Sequence, residues 1–313
     1  MTNILNKTHV FRKKDSKHPY FEGYYFKFIN EQKEIVILIS GISISPKEKY
    51  SFIQVASSHS KDVVLYKFPL TDLKSSKDAF DFKIGKNEFS RNRILLDLDN
   101  VSAEIQISNS VNWNRSFVNP NIMGFMSYIP RVECKHDIIT LQSEISGFIK
   151  LAKHKILFKE GDGYIEKNWG SSFPKKYIWL HANQFNNRQL SLQFAIAKPK
   201  WLFFRPKVYI GYIMTGELIH FGTHRLSLVR VQRDYDFTLI TIKKIKYHIT
   251  IKIKHKAPVN LIGPTKGILK NKIPEYLDSS IELVVLKKSL FNKNKEVVRD
   301  ISHLSTTEMQ DEI

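Results

Sequence analysis

A chain of 313 residues with 42% hydrophobic side chains is long enough for two average domains or one large β domain, and it has enough apolar surface to form a core, which excludes general disorder. Its net charge of +19 creates a field that attracts phosphates without choosing between nucleic acid and anionic lipid. The single cysteine, Cys134, excludes an internal disulfide and a cysteine-based zinc site, fits a reducing compartment, and reads as a buried strand residue rather than a nucleophile.

The first fifteen residues hold no apolar stretch of the length a secretory signal needs, and the longest apolar run, 35–44, is too short to cross a bilayer. A cytoplasmic protein with at most peripheral membrane contact is expected. The lysines are spread along the whole chain, and no zinc-finger spacing, RNP-like aromatic motif or helix-turn-helix pattern accompanies them. A nucleic-acid partner is therefore not expected. Heavy use of Lys, Ile and Asn also fits an A+T-rich genome, which makes part of the charge a matter of codon composition.

From the amino terminus onward, period-two alternation predicts strands at 21–29, 34–42, 52–56, 94–98, 103–107, 147–151, 177–185, 190–197, 208–215, 226–231, 237–242 and 281–286. The clearest case is 244–256, where Ile245, Tyr247, Ile249, Ile251 and Ile253 share one face and lysines dominate the other. No long helical period competes. Many short strands punctuated by turns such as Asn186-Asn187, Lys293-Asn294 and Gly161-Asp162-Gly163 predict barrels or sandwiches. The loop 72–80 and the stretch after Asp300 are expected to be the mobile parts.

The most informative segment is 161–183, GDGYIEKNWGSSFPKKYIWLHAN. Glu166 lies between Tyr164 and Trp169, and a carboxyl group among rings is poorly solvated when charged, so it is expected to retain a proton for donation. Strand alternation puts Tyr164, Glu166 and Asn168 on one face and Ile165, Lys167 and Trp169 on the other, unless a bulge at Gly170 intervenes. Lys167 is then expected to point outward, and Trp169 is either a pocket wall or a plug between domains. The competing reading of Glu166 is a salt bridge to Lys167 or Lys175. Glu22, flanked by Phe21, Tyr24 and Tyr25, is a second acid that either pairs with Glu166 across a cavity or binds backbone amides or Lys27.

Trp179, His181 and Asn183 alternate on one strand face, a row suited to orienting an aromatic ring and its hydroxyls. His136 and His181 are each readable as functional or as satisfied core groups. His220 and His224 are four apart, but Gly222 between them argues against a helical metal face. Ser171-Ser172 lacks the nucleophile-elbow pattern, and the segment Gly263 to Gly267 departs from the phosphate-loop pattern and reads as a turn. The segment 200–207, KWLFFRPK, interleaves rings with cations; that suits an anionic lipid interface, and equally an ordinary strand flanked by solvated lysines.

These blocks resemble the tocopherol cyclase family. Glu-Lys-Asn-Trp-Gly (Glu166 to Gly170), Ser172-Phe173-Pro174, Trp179 and Asn183 resemble its central motif. His18 to Lys27 resembles its amino-terminal block, with Tyr24 in place of the usual Trp, and Arg131 to His136 and Gly147 resemble the block and strand flanking the central motif. Gly263-Pro264-Thr265 and 280–285 look like the closing strands, whereas Ser305-Thr306-Thr307-Glu308 stands where the family has a Gly-rich ending. The likeness spans roughly residues 15 to 300.

The resemblance, shared with carotenoid hydratase-like proteins, implies an all-β chain of two tandem lipocalin-like antiparallel domains, 1–160 and 161–313. It also implies acid-catalysed cyclisation of a prenylated quinol or related isoprenoid lipid, with no cofactor and no metal. Such chemistry needs an aimed acid, aromatic faces that stabilise a cation, and exclusion of water. The implied catalytic residues are Glu166, Tyr164 and Glu22. The implied substrate-binding residues are Asn168, Trp169, Trp179, His181, Asn183, His136 and Tyr24. The expected partner is a lipophilic small molecule, with weak peripheral contact to anionic membrane. The rival reading is a non-catalytic isoprenoid carrier.

Overall fold

The computed structural model describes residues 10–12, 18–59, 63–130, 132–199, 207–254, 257–289 and 294–310. Arg131, most of the 200–207 segment, Lys293 and the end of the 244–256 run lie outside them. Within the described residues, regular structure is antiparallel strand apart from short 3-10 turns.

The first sheet contains β1 (Tyr20–Ile29), β2 (Ile35–Ile44), β3 (Lys49–Ser57), β4 (Val63–Pro69), β5 (Leu73–Ser75), β6 (Asp81–Ile84), β7 (Asn87–Ser90), β8 (Arg93–Leu98), β9 (Val101–Asn112), β10 (Cys134–Leu151) and β11 (His154–Gly170). The second contains β12 (Tyr177–Ala182), β13 (Leu190–Ala197), β14 (Val208–Thr215), β15 (Glu217–Gly222), β16 (Leu228–Arg233), β17 (Thr238–Lys243), β18 (Tyr247–Lys254), β19 (Val259–Thr265), β20 (Ile268–Lys287) and β21 (Lys295–Gln310).

The two sheets follow one plan. In the first, β1 pairs with the last strand, β11, and the two edge strands, β4 and β5, are consecutive in the chain. In the second, β12 pairs with the last strand, β21, and the edges are the consecutive β15 and β16. Each is thus an up-and-down antiparallel barrel, nearly closed, which leaves little unpaired edge. The chain is two tandem lipocalin-like β domains.

Alternation decides what fills them. The first barrel holds a cluster that includes Phe26, Phe28, Phe82, Phe89, Ile94 and Ile165, and the second holds one built from residues such as Leu180, Phe194, Ile251 and Leu283. In the first cluster the rings of Phe82 and Phe89 stack with centroids 4.7 Å apart, and Phe82 also stacks on Tyr24 at 5.1 Å. The strands beside the first-to-last seam are buried on both faces: every residue of β1 and of β12 is buried.

By contacts, one compact unit comprises Met1–Asn121, Pro130–Phe173 and Leu261–Lys272, and the other comprises Ile122–Ile129, Pro174–Asn260 and Ile273–Ile313. The division expected near residue 160 falls within β11, which runs unbroken through it to Gly170. Of the stretch after Asp300, expected to be mobile, residues 301–310 instead form the second half of β21, which pairs with β12 and β20. The segment Gly263 to Gly267, read as a turn, is strand as far as Thr265, as the likeness to a closing strand implies, and turns at Lys266 and Gly267. The expected loop at 72–80 contains β5.

Two glycines make a local test of the packing. A Cβ on Gly41 would lie 2.2 Å from the Glu22 carbonyl oxygen and 2.7 Å from the Gly23 Cα, whereas one on Gly23 would meet nothing closer than 3.5 Å. Gly41→Ala is therefore expected to destabilise the protein by about 1–3 kcal/mol through forced backbone movement, and Gly23→Ala to be much milder. Chemical denaturation of the two variants checks this; equal losses would contradict the register of β1 on β2.

Candidate active site

Glu166 lies near the carboxyl end of β11, where unbroken pairing with β1 places it opposite Tyr25. Its neighbours on the same face, Tyr164 and Asn168, lie opposite Lys27 and Gly23. The three side chains act together as alternation predicts: the Tyr164 hydroxyl donates to Glu166 Oε2 at 2.7 Å and Asn168 Nδ2 donates to Oε1 at 2.8 Å. Both carboxyl oxygens are thus oriented, and Glu166 is only 3% exposed.

His136 joins this wall from β10, where it pairs with Asn168, and its Nε2 lies 3.4 Å from Glu166 Oε2. The separation is that of an ion pair, but burial pushes the imidazole down to about 4, with Asp137 and Asn168 opposing the shift. At neutral pH His136 is therefore uncharged, and the contact is a neutral ring beside a carboxyl group. The expected salt bridge from Glu166 to Lys167 does not form.

Lys167 occupies the opposite face of β11 and points into the first barrel rather than outward. It is fully buried, its Nζ lies 2.5 Å from Glu22 Oε1, and it donates to the Val10 carbonyl at 2.7 Å. Glu22 also accepts from the Tyr20 hydroxyl at 2.9 Å and from the Arg12 backbone N–H at 2.9 and 3.1 Å. Glu22 and Glu166 thus belong to opposite faces of the sheet, which removes the reading in which they pair. The backbone-amide reading of Glu22 is met by Arg12, with Lys167 in the place expected for Lys27.

Tyr24 and Trp169 accompany the Glu22 pair on the core face. The Lys167 ammonium lies 5.1 Å from the Tyr24 ring centroid and 5.4 Å from that of Trp169, and Arg12 lies 4.7 Å from Trp169. Burial pulls the lysine below its ordinary range, and Glu22 opposes that shift. No bulge at Gly170 brings Trp169 round to Glu166, because the β1 register continues unbroken to Phe21 and Gly170. The bulges fall on β10 instead.

In the second barrel Trp179 and His181 project from β12 away from the apolar cluster, since Ile178, Leu180 and Ala182 occupy the core face. Cross-strand pairing aligns Thr306, His181, Gln193, Tyr212 and His220 in a row, with Glu308 and Trp179 in the next. Asn183 follows just after β12 and is 3% exposed. The Tyr177 hydroxyl donates to Glu308 Oε2 at 2.6 Å, so this unit too has a tyrosine bonded to a buried glutamate. Glu275 lies opposite Glu308 on β20.

Sequence reasoning missed Gln193, Tyr212, Thr306, Glu308 and Glu275. Gln193 had a visible signal, an amide in the largely apolar strand LSLQFAIA, and it is fully buried. Among the described residues, the side-chain amides of Asn183 and Gln193 have no hydrogen-bond partner. Such groups are costly when buried and would be satisfied by hydroxyl or carbonyl groups of a ligand.

His220 is held differently. Its Nε2 is 3.0 Å from the Ile122 carbonyl, which requires Nε2 to carry the hydrogen, and burial with nearby Arg225 pushes the ring down to about 3. Both His136 and His220 are neutral when folded but titrate near 6.5 when unfolded, so the unfolded state binds more protons below that pH. Stability present above pH 6.5 is expected to fall by up to about 1.4 kcal/mol per pH unit per histidine, toward pH 4 for His136 and pH 3 for His220. Denaturant titrations between pH 7 and 4 check this; a His220→Gln variant with an undiminished slope would contradict it.

The Tocopherol cyclase-like family matches residues 85–309, well over half of the chain. The chloroplastic tocopherol cyclase of Zea mays is 31% identical over 62 residues, a stretch that takes in 20% of this chain and only 13% of the maize protein. Among solved structures, CghA with Sch210972 superposes with a TM-score of 0.56 at 7% identity, covering 94% of this chain and 89% of that one. Kievitone hydratase from Nectria haematococca superposes with a TM-score of 0.50 at 10% identity, covering 98% and 92%. The structures share the fold, and the extent of the family match carries the assignment: this chain belongs to the tocopherol cyclase-like family.

Proposed function

We propose that this protein is a cofactor-independent enzyme that protonates an alkene of an isoprenoid lipid, with a prenylated quinol as substrate and ring closure as outcome. The observation that carries the reading is the buried wall of Glu166, Tyr164, Asn168 and His136, in which both oxygens of one acid are aimed by their neighbours.

In this reading Glu166 gives a proton to the less substituted alkene carbon, leaving a tertiary cation at the other. The phenol oxygen attacks that carbon, a C–O bond forms, and the phenolic proton leaves to the Glu166 carboxylate or to neutral His136. One proton enters and one departs, so the reaction is an isomerisation. An aryl oxonium is a far stronger acid than an imidazolium, so even a ring held near 4 can accept its proton. Tyr164 and Asn168 orient the acid, and Tyr25 on the facing strand offers an aromatic face. Trp179, His181, Asn183 and Gln193 form a separate polar row within the second unit, suited to binding ligand hydroxyl groups there. Tyr24, Trp169 and Glu22 are assigned a supporting role inside the first barrel.

The same donors favour a second reading, a carrier that binds an isoprenoid without turning it over, because Tyr164 and Asn168 already satisfy the Glu166 oxygens. Weak attraction to anionic membrane, from which a lipophilic substrate would be drawn, rests on the net charge of +19. Lipid profiling of the host with and without the gene tests the function directly. Accumulation of an uncyclised prenyl quinol in its absence is expected, and an unchanged lipid profile would favour the carrier.

A further inference from the structure

We propose that Glu34, His59 and His154 form a binding site for a divalent transition cation, zinc by the chemistry of the donors. The three come from separate connections of the first unit: the turn between β1 and β2, the residues following β3, and the first position of β11. Their ligand atoms lie within 4.8 Å of one another. His154 Nε2 is 2.7 Å from Glu34 Oε1, and the rings of His59 and His154 stack with centroids 3.6 Å apart and planes 6° from parallel.

A second feature points the same way. Glu34 is positioned before any metal arrives, because its Oε2 accepts from Asn30 Nδ2 at 2.8 Å while its backbone N–H donates to Asn30 Oδ1 at 2.8 Å. Asn30 is itself buried at 3% exposure and tied to the Leu157 carbonyl. One carboxylate oxygen is therefore held by a buried amide and the other is presented to the imidazoles, the outer support that orients metal ligands.

Two imidazoles and one carboxylate with an open position form a donor set that zinc uses at bond lengths of about 2.0–2.2 Å, so tetrahedral donors stand about 3.4 Å apart. The stacked rings lie in parallel planes that cannot both contain one ion, so binding requires exposed His59 to swing out of the stack and turn a ring nitrogen toward Glu34 and His154. Imidazole donors select against magnesium and calcium, which prefer oxygen. A bound ion would replace the direct hydrogen bond between His154 and Glu34 and clip three connections of the barrel together. The site is separate from the proposed acid, so its test does not depend on turnover.

The whole 313-residue chain, stripped of metal, is titrated with zinc chloride by calorimetry, and cobalt chloride is added separately for its visible absorption. One equivalent of zinc is expected to bind and raise the melting temperature, and magnesium chloride to do neither. Cobalt should give the intense absorption of a four-coordinate ion. His59→Ala, an exposed and structurally mild change, should weaken zinc by at least about a hundredfold, and Asn30→Ala by about tenfold. Absence of saturable binding, or unchanged affinity in His59→Ala and His154→Ala, would overturn the proposal.

Discussion

Replacing Glu166 by Gln is expected to lower turnover of a prenylated quinol by about 10²–10⁴-fold, the range associated with losing a positioned general acid, while ligand affinity changes little. The amide matches the carboxyl group in size, still accepts at one oxygen from Tyr164 or Asn168, and cannot deliver the proton. Tyr164→Phe should have a smaller effect, because it removes one of two groups that orient the acid and leaves the other in place. A fluorescence titration with substrate, run beside the kinetics, separates chemistry from binding. Loss of affinity in parallel with loss of turnover would mean that Glu166 holds the ligand or the fold rather than the proton.

The second large effect concerns stability. Lys167→Met is expected to destabilise the protein by about 3–5 kcal/mol, the usual result of leaving one member of a buried ion pair without its partner. Glu22→Gln should behave similarly, since it leaves a fully buried ammonium among Phe11, Tyr24 and Trp169. The double variant Glu22→Gln/Lys167→Met should recover most of the loss. The Gln carbonyl can still accept from Tyr20 and Arg12, and Met fills an apolar, ring-lined space. A double-mutant cycle by urea denaturation measures the coupling. Additive single losses would show that the pair is not the unit described.

Much of this was legible in the chain, for reasons that particular residues make plain. Period two in 161–170 placed Tyr164, Glu166 and Asn168 together, and the structure links those three by hydrogen bonds. Alternation says which residues share a face but not which face is wet. Around β1 and β11 neither is, so Lys167 followed the general habit of lysine and was expected outside. Its partner Glu22 lies on another strand, and only the pairing of β1 with β11 brings them together. The resemblance implied Tyr24 and Trp169 as substrate contacts, whereas both lie in the core of the first barrel.

β21 was missed for a different reason. Its core-facing positions include Ser305 and Thr307 beside Met309, so the alternation there carries almost no hydrophobic contrast. The row containing Thr306 and Glu308 vanished with it. The Glu34, His59 and His154 cluster left no trace in spacing, because three hairpin ends from distant parts of the chain supply one donor each. Short-range motifs register local chemistry; closure of an up-and-down barrel, which pairs the first strand with the last, does not show in them.

The central claim is that Glu166 transfers a proton to carbon. It is tested most directly by turning over a prenylated quinol in deuterium oxide and locating the label by mass spectrometry and NMR. One solvent-derived deuterium is expected per turnover, on the carbon that had been the less substituted end of the alkene. In the Glu166→Gln variant its incorporation should be lost together with product. Product formed without deuterium at that carbon, or labelled product formed at an undiminished rate by Glu166→Gln, would contradict the assignment.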